Sequence, residues 1–394
     1  MHAQVLETAG ILSPDEHLAL REALDAVQSE FGQADCPASD AEDLHTWVEQ
    51  QLTERAGAAG RKIHTARSRN DQIATLLKLY VIDAGERLEA ALRDVVRVAC
   101  QQAAAWAALA FPLHTHQQYA APGSAGFWVL RYATSFDRAR RRLAIDVREW
   151  CRTCPLGSGA VAGSSIPIDR AAQASGLGFE SPSSNALDAT STRDECLELL
   201  ATATQIALHL QSFATDVIVF SQTALGWTRY PGEFATGSSM MPNKVNPDAM
   251  ELLRGKSNAV TSAHAELVSI LKGLPSGYNR DLQCVKPVVH GAAETLIELV
   301  GMVAPFLAVL DFDPERLAAS CKQGNINATL RMEEKVQAGD TLREAHHAVA
   351  DELAGDADGS TPLVDNPLER YRTAGSANPD DVRRVARELL SELG

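Results

Sequence analysis

Three long stretches without proline limit the folds that this chain can adopt. They cover residues 71–111, 188–230 and 248–274, and apolar side chains recur within them at the intervals of an α-helix. Helices of this length that are apolar on more than one face are buried on several sides, as in a bundle or between subunits. We find no strand-like alternation and no internal repeat. The pattern therefore predicts an all-α protein built around long helices.

Shorter helices are predicted on either side of these stretches. Ser13 and Pro14 have the residue types of an N-cap and a first helical position, so a helix is expected over residues 13–31. After a polar break at residues 32–41, a second helix is expected from residue 42 to the glycines at 57 and 60. A further helix is expected over residues 289–310. A Gly-rich connection at residues 155–160 is interpreted as structural.

Chain length, net charge and cysteine count narrow the class of protein to which this chain can belong. With 394 residues the chain exceeds one hydrophobic core, so two or three domains are expected. The net charge of −15 argues against nucleic acid and against an anionic membrane as partners. We find no signal peptide and no apolar run that approaches the ~20 residues of a membrane span. Seven cysteines, an odd number, favour reduced thiols and a cytoplasmic location.

The sequence gives no reason to expect a cofactor or a metal. We find no phosphate-binding loop, no dinucleotide fingerprint and no His-Glu-x-x-His. Cys151 and Cys154 form the one close cysteine pair, and two buried or incidental thiols are favoured over zinc or redox chemistry. His114 and His116 form a His-x-His, for which a structural role is favoured over metal binding when it is taken alone.

Residues 236–247 form a segment between two long helical patterns, and we call it the signature loop. Within it lie Gly237, the adjacent hydroxyls of Ser238 and Ser239, Lys244, Asn246 and two prolines. Such a segment can aim backbone N–H groups, an ammonium and a carboxamide at an anion, beside a serine able to transfer a proton. The alternative interpretation is a polar surface linker.

The signature loop reads Gly-Ser-Ser-Met-Met-Pro-Asn-Lys-Val-Asn-Pro from residue 237 and resembles that of the fumarase/aspartase superfamily, whose members eliminate fumarate from succinyl-type substrates. Two further stretches resemble argininosuccinate lyases. Residues 64–71 read His-Thr-Ala-Arg-Ser-Arg-Asn-Asp, in which Ala66 replaces a glycine, and residues 272–283 begin Lys-Gly-Leu-Pro. The resemblance covers nearly the whole chain. It implies a three-domain fold whose central bundle forms a homotetramer core.

The resemblance also implies domain boundaries and roles for individual residues. We expect an N-terminal domain at 1–66, apparently truncated, a central long-helix domain at 67–318 and a small C-terminal helical domain at 319–394. Ser238 would take the Cβ proton, Lys244 would support the negative charge, and His116, held by Glu251, would serve the leaving nitrogen. Substrate contacts are implied at Arg69, Asn70, Thr115, Asn246, Tyr278, Gln283, Lys286, Asp43 and His45. Some would converge from neighbouring subunits, and for Asp43 and His45 a structural role is an equal alternative.

The expected function is elimination of fumarate from argininosuccinate with release of L-arginine. Val245 stands where a second lysine is common, and Cys284, Val285 and Pro287 replace mostly acidic neighbours, so the released amine is less constrained than the elimination itself. An N-terminal segment that holds a substrate-contacting serine in the family is expected to be absent. The alternatives are a related lyase for another N-substituted aspartate and a catalytically inactive structural homologue.

Overall fold

The computed structural model describes residues 1–31, 39–355 and 364–393. The α-helices are, in chain order, α1 (His2–Thr8), α2 (Pro14–Phe31), α3 (Leu44–Ala56), α4 (Ala58–Lys62), α5 (Arg69–Ala105), α6 (Ala125–Trp150), α7 (Arg170–Gly176), α8 (Ala186–Ser191), α9 (Asp194–Phe220), α10 (Asp248–Leu271), α11 (Val285–Val309), α12 (Pro314–Ser320), α13 (Ala328–Gln337), α14 (Leu342–Gly355) and α15 (Pro379–Ser391). Short 3-10 helices cover Gly232–Phe234, Arg280–Cys284 and Pro367–Arg370.

The strands are few and short. They are β1 (Ala110–Thr115), β2 (Gln118–Ser124), β3 (Thr153–Cys154), β4 (Ser181–Pro182), β5 (Thr228–Arg229), β6 (Thr236–Gly237), β7 (Val245–Asn246) and β8 (Asp311–Phe312). They pair only in twos: β1 with β2, β5 with β8 and β6 with β7 antiparallel, and β3 with β4 parallel. The predicted all-α class is therefore confirmed, although the β1–β2 hairpin was not predicted.

Within the residues that the structure describes, five helices have more than twenty residues: α5, α6, α9, α10 and α11. Four of them lie where long helices were expected, because proline-free apolar periodicity is a direct signal for a helix. The fifth, α6, was not predicted. Ser13 and Glu16 bond each other's backbone N–H groups at 3.2 and 2.9 Å, a capping box that confirms the predicted start of α2. Part of the predicted break at residues 32–41 lies outside the described residues.

Met1–Asp83, Ile145–Leu199 and Glu266–Val289 form one compact unit, the first unit. Its main core lies between α1, α2, α3 and α4. The largest buried apolar residues there are Leu6, Leu12, Leu20, Leu52 and Ile63. These side chains fix α3 against α4, and the segment that follows α4 leads directly into α5.

Ala84–Ala144, Leu200–Ala265 and His290–Gly394 form the second unit. Phe111, on β1, lies at the centre of its aromatic core. Its ring centroid is 5.0 to 6.2 Å from those of Trp128, Phe220, Trp227 and Phe312. Burial of each such ring stabilises the fold by about 2 kcal/mol, so this core anchors the hairpin that begins at β1. The predicted domain boundaries at 66/67 and 318/319 remain a prediction.

One stretch corrects the sequence analysis. Arg280–Val309, which includes α11, is long and apolar enough to cross a membrane by length and composition alone. This helix is apolar on average, but Lys286, His290 and Glu294 interrupt its apolar residues, so it contains no uninterrupted apolar run of that length. Half of its apolar window is buried within the protein, and the core helix of a soluble protein passes the same test.

Candidate active site

The N-terminal end of α3 carries two of the predicted substrate contacts. Asp43 caps the helix, since its Oδ1 accepts the Thr46 N–H at 2.7 Å. Burial alone would raise the pKa of Asp43, but the Thr46 bond and the charge of Arg69 outweigh it and the pKa is lowered. Nδ1 of His45 lies 3.2 Å from Nε2 of Gln72. These bonds give both side chains defined orientations.

Burial and neighbouring charges together lower the pKa of His45. Burial lowers the pKa of His45. The positive charges of Arg69, Arg67 and Lys286 lower it further, and the negative charge of Asp43 opposes them. Lys286, on the first turn of α11, therefore acts electrostatically on the end of α3. A lowered pKa favours the neutral ring, which can accept a hydrogen bond.

Arg69 is held on all three of its nitrogens. Its Nε lies 3.2 Å from Asp43, its Nη1 donates to Gln72 at 2.8 Å and to Glu49 at 3.1 Å, and its Nη2 donates to Thr46 at 3.0 Å. A guanidinium has five N–H groups. The three hydrogen bonds use both N–H groups of Nη1 and one of Nη2, and the Asp43 contact is an ion pair, so Arg69 offers mainly a fixed positive charge.

Glu49 and Gln72 are candidate functional residues that the sequence analysis missed. Both contact Arg69, which the resemblance had already selected. Glu49 follows His45 by four residues and Gln72 follows Arg69 by three, spacings that place two side chains on one face of a helix. Helical spacing was thus the signal that could have found them.

Asn70 and the stretch near Lys286 also belong to the first unit. Nδ2 of Asn70 donates to the backbone carbonyl of Ala160 at 3.0 Å, so the Gly-rich connection orients its amide. Tyr278 is half-buried and follows Gly277, whose φ of +94° suits glycine. Gln283 is exposed, and its Oε1 lies 3.4 Å from Nε of Arg280.

Thr115 and His116 lie at the tip of the β1–β2 hairpin. Thr115 pairs with Gln118, so His116 and Gln117 form a two-residue turn. Their φ angles are +54° and +60°, as in a type I′ turn. The left-handed conformation costs about 1–2 kcal/mol for each non-glycine residue. The turn presents the exposed His116 ring to solvent, and strain of this kind is often found at functional sites.

The metal interpretations gain no support. His114 packs against the rings of Tyr119 and Trp227 at 4.8 and 5.3 Å, as a structural residue would. Cys151 and Cys154 are buried free thiols, and burial raises the pKa of Cys151 to about 12. Within residues 1–31, 39–355 and 364–393 there is no group of three or more His, Cys, Asp or Glu side chains placed to hold a metal.

The signature loop is a small flap closed by β6 and β7. Between these strands, Oγ of Ser238 accepts the backbone N–H groups of Met240 at 3.3 Å and Met241 at 3.1 Å. The Thr236 hydroxyl bonds the carboxylate of Asp248, which ties the flap to the first turn of α10. The Ser238 oxygen thus accepts two backbone N–H groups of the flap.

Lys244, directly before β7, lines a cavity of about 660 Å³. The other polar residues that line this cavity are Ser221, Gln222, Thr223, Thr228, Tyr230 and Asn243. Its volume is in the range of small-molecule sites. Asn246 lies on β7, half-buried, and Glu251 lies exposed on the first turn of α10. In the described part of the chain no hydrogen bond joins Glu251 to His116.

Contacts and charges bring four of the predicted residues together at the end of α3: Asp43, His45, Arg69 and Lys286. The first unit also holds Asn70, Tyr278 and Gln283. The second unit holds Thr115, His116, Ser238, Lys244, Asn246 and Glu251. The role of each residue remains a prediction.

Comparison with known proteins provides independent findings. Residues 1–262 match the lyase family. An argininosuccinate lyase of Koribacter versatilis (strain Ellin345) is 38% identical over 384 residues, which are 98% of this chain and 80% of that protein. The structure of an EDDS lyase variant with bound fumarate is similar with a TM-score of 0.87 at 18% identity, over 100% of this chain and 84% of that one. A class II fumarase from Schistosoma mansoni has a TM-score of 0.76 at 18% identity, over 90% and 84%. These similarities confirm the predicted fumarase-type fold.

Proposed function

The chain belongs to the argininosuccinate lyase family, and from that premise we propose that it splits argininosuccinate into L-arginine and fumarate. In this reaction a base removes a proton from Cβ of the succinyl part. The electron pair of that C–H bond forms the double bond of fumarate, the C–N bond breaks, and the amine nitrogen takes up a proton. The protein is thus a carbon–nitrogen lyase of arginine biosynthesis.

The observation that carries the chemistry is the environment of Ser238. Its Oγ accepts the N–H groups of Met240 and Met241, and donors aimed at an oxygen favour its ionised form. We assign to Ser238 the removal of the Cβ proton. A serine hydroxyl is a weak base at neutral pH, so closure of the flap over substrate completes its activation.

Lys244 and Asn246 stabilise the negative charge that develops during proton removal. The carbanion beside a carboxylate places a second charge on that carboxylate, and fixed donors must stabilise it. Lys244 lines the 660 Å³ cavity at the base of the flap, where an ammonium can meet a carboxylate. Asn246, in the β7 strand of the same flap, supplies a carboxamide.

Thr115 and His116 act at the nitrogen atom that leaves when the C–N bond breaks. The type I′ turn exposes the His116 ring at the hairpin tip, where an imidazole can transfer a proton to a bound group. His116 delivers the proton that the amine needs as the C–N bond breaks, and Thr115 contacts the substrate beside it. To Glu251, on the first turn of α10, we assign the support of His116 that the family resemblance implies.

The residues of the first unit bind the remainder of the substrate. Arg69 and Lys286 offer positive charge to a carboxylate, and Asn70 offers a carboxamide. Asp43, His45, Tyr278 and Gln283 complete this set with groups able to contact the amine. We infer that the protein is a soluble cytoplasmic homotetramer in which the flap of one subunit and the α3 residues of another share a substrate.

The direct test is to incubate the purified protein with argininosuccinate and follow the absorbance of fumarate. The proposal predicts steady release of fumarate with an equal amount of arginine. Release of fumarate from other N-succinyl amines but not from argininosuccinate would contradict the substrate and leave the elimination chemistry intact. No fumarate from any of them would favour the inactive homologue.

One observation favours a second substrate class. Val245, 65% exposed on the flap, replaces a lysine common in the family, and Cys284 is exposed where acidic residues are more usual. The first change removes a positive charge that a substrate carboxylate could use, and the second removes negative charge that a guanidinium could use. A related lyase for another N-substituted aspartate is therefore the alternative that the substrate panel addresses.

A further inference from the structure

Glu49 is the point at which the segment before α5 is fixed to α3. Its Oε1 accepts three hydrogen bonds, from Nδ1 of His64 at 3.0 Å, Nη2 of Arg67 at 3.1 Å and Nη1 of Arg69 at 3.1 Å. The three donors come from residues 64–69, which lie apart from Glu49 in the chain. One carboxylate oxygen therefore sets the position of three cationic or titratable side chains.

Arg69 passes this constraint to the predicted substrate contacts. Besides Glu49 it contacts Asp43 at 3.2 Å and Gln72 at 2.8 Å. Gln72 in turn lies 3.2 Å from the ring of His45. The chain of contacts from Glu49 through Arg69 thus ends on Asp43 and His45, neither of which bonds Glu49 directly.

The charges explain why a carboxylate is needed there. Burial lowers the pKa of Arg67, Glu49 opposes that effect, and Arg69 lowers the pKa further. Nε of Arg67 is buried without a hydrogen-bond partner in the described chain. Two guanidinium groups that repel each other share the Glu49 oxygen, so a neutral residue at position 49 would take from Arg67 the carboxylate that it contacts and leave Arg69 with that of Asp43.

We propose that Glu49 is a positioning residue that holds Arg69, and through it Asp43 and His45, in the arrangement that binds substrate. Its kinetic consequence rests on the proposed lyase function. Glu49 itself faces the arginines and needs no contact with substrate. A residue of this kind contributes to binding through the geometry of its neighbours.

The kinetic test compares Glu49→Gln, Glu49→Asp and the matched control Glu54→Gln. Glutamine keeps the shape of Glu49 but loses the charge, and Glu54 is an exposed glutamate on the same helix. We expect Glu49→Gln to raise KM for argininosuccinate about tenfold with kcat changed about twofold at most. Glu49→Asp, which keeps the charge, should recover part of the loss, and Glu54→Gln should match wild type. Equal constants for Glu49→Gln and Glu54→Gln would overturn the proposal.

A second readout does not depend on activity. In a crystal structure of Glu49→Gln, or of Glu49→Asp if the first variant does not fold, we expect Arg69 to leave Asp43 and Thr46. Unchanged contacts at 3.2 and 3.0 Å would overturn the proposal. If the wild-type protein released no fumarate, the proposed function would fail, and the crystal structure would still decide the role of Glu49.

Discussion

The buried carboxylate of Asp71 accepts the backbone N–H of Gly159 at 2.8 Å. The same oxygen accepts the N–H of Gly157 at 2.9 Å, and the other oxygen accepts that of Ser68 at 2.9 Å. Burial raises the pKa of Asp71, and these N–H bonds oppose the rise. One side chain therefore joins the start of α5, where Asn70 lies, to the Gly-rich connection.

Replacement of Asp71 by asparagine should destabilise the protein. The amide can offer one oxygen, so its NH₂ group would face backbone donors and leave buried N–H groups unsatisfied. We expect the free energy of unfolding to fall by about 2 kcal/mol, measured by urea denaturation. Asp94→Asn is the control, because Asp94 is on the same helix, is 59% exposed and forms a surface ion pair with Arg97. Equal losses in the two variants would contradict the account.

Replacement of Gln117 by glycine should stabilise the hairpin. Glycine adopts a positive φ without strain, and it is the favoured second residue of a type I′ turn. We expect a gain of about 1 kcal/mol in the free energy of unfolding, seen as a higher melting temperature. Gln118→Gly, at the first residue of β2, removes no strain and should lower the melting temperature. A loss of stability in Gln117→Gly would be inconsistent with the type I′ turn.

Replacement of Lys286 by methionine should raise the pKa of His45. Burial lowers this pKa first, and the positive charge of Lys286 lowers it further. Loss of a positive charge makes protonation easier, so the pKa must rise. NMR titration of the His45 ring protons measures the change, with exposed Lys272→Met as the control. A pKa that stays constant or falls would show that Lys286 does not act on His45.

The sequence predicted most of the fold because its strongest signals are local. Proline-free periodicity identified α5, α9 and α10, and Ser13 with Pro14 identified the start of α2. The β1–β2 hairpin escaped prediction because Pro112 and Pro122 interrupt both strands and no alternation precedes the turn. A polar turn of His116 and Gln117 carries no glycine to mark it.

The candidate site was predictable only where motifs carry it. The resemblance selected Arg69 and Asp43, but their 3.2 Å contact depends on how α3 packs beside α5. The Asp71 bond to Gly159 joins residues far apart in the chain, and no local pattern encodes it. Ala66, at the position of a family glycine, has a positive φ of +59°, a conformation that favours glycine.

We assign removal of the Cβ proton to the Ser238 oxygen, which accepts two backbone N–H groups of the flap. The most direct measurement is the rate of fumarate release from argininosuccinate by Ser238→Ala and by the exposed neighbour control Ser239→Ala. We expect Ser238→Ala to lose at least about 100-fold in kcat with an unchanged melting temperature, and Ser239→Ala to match wild type. A wild-type rate in Ser238→Ala would contradict the mechanism.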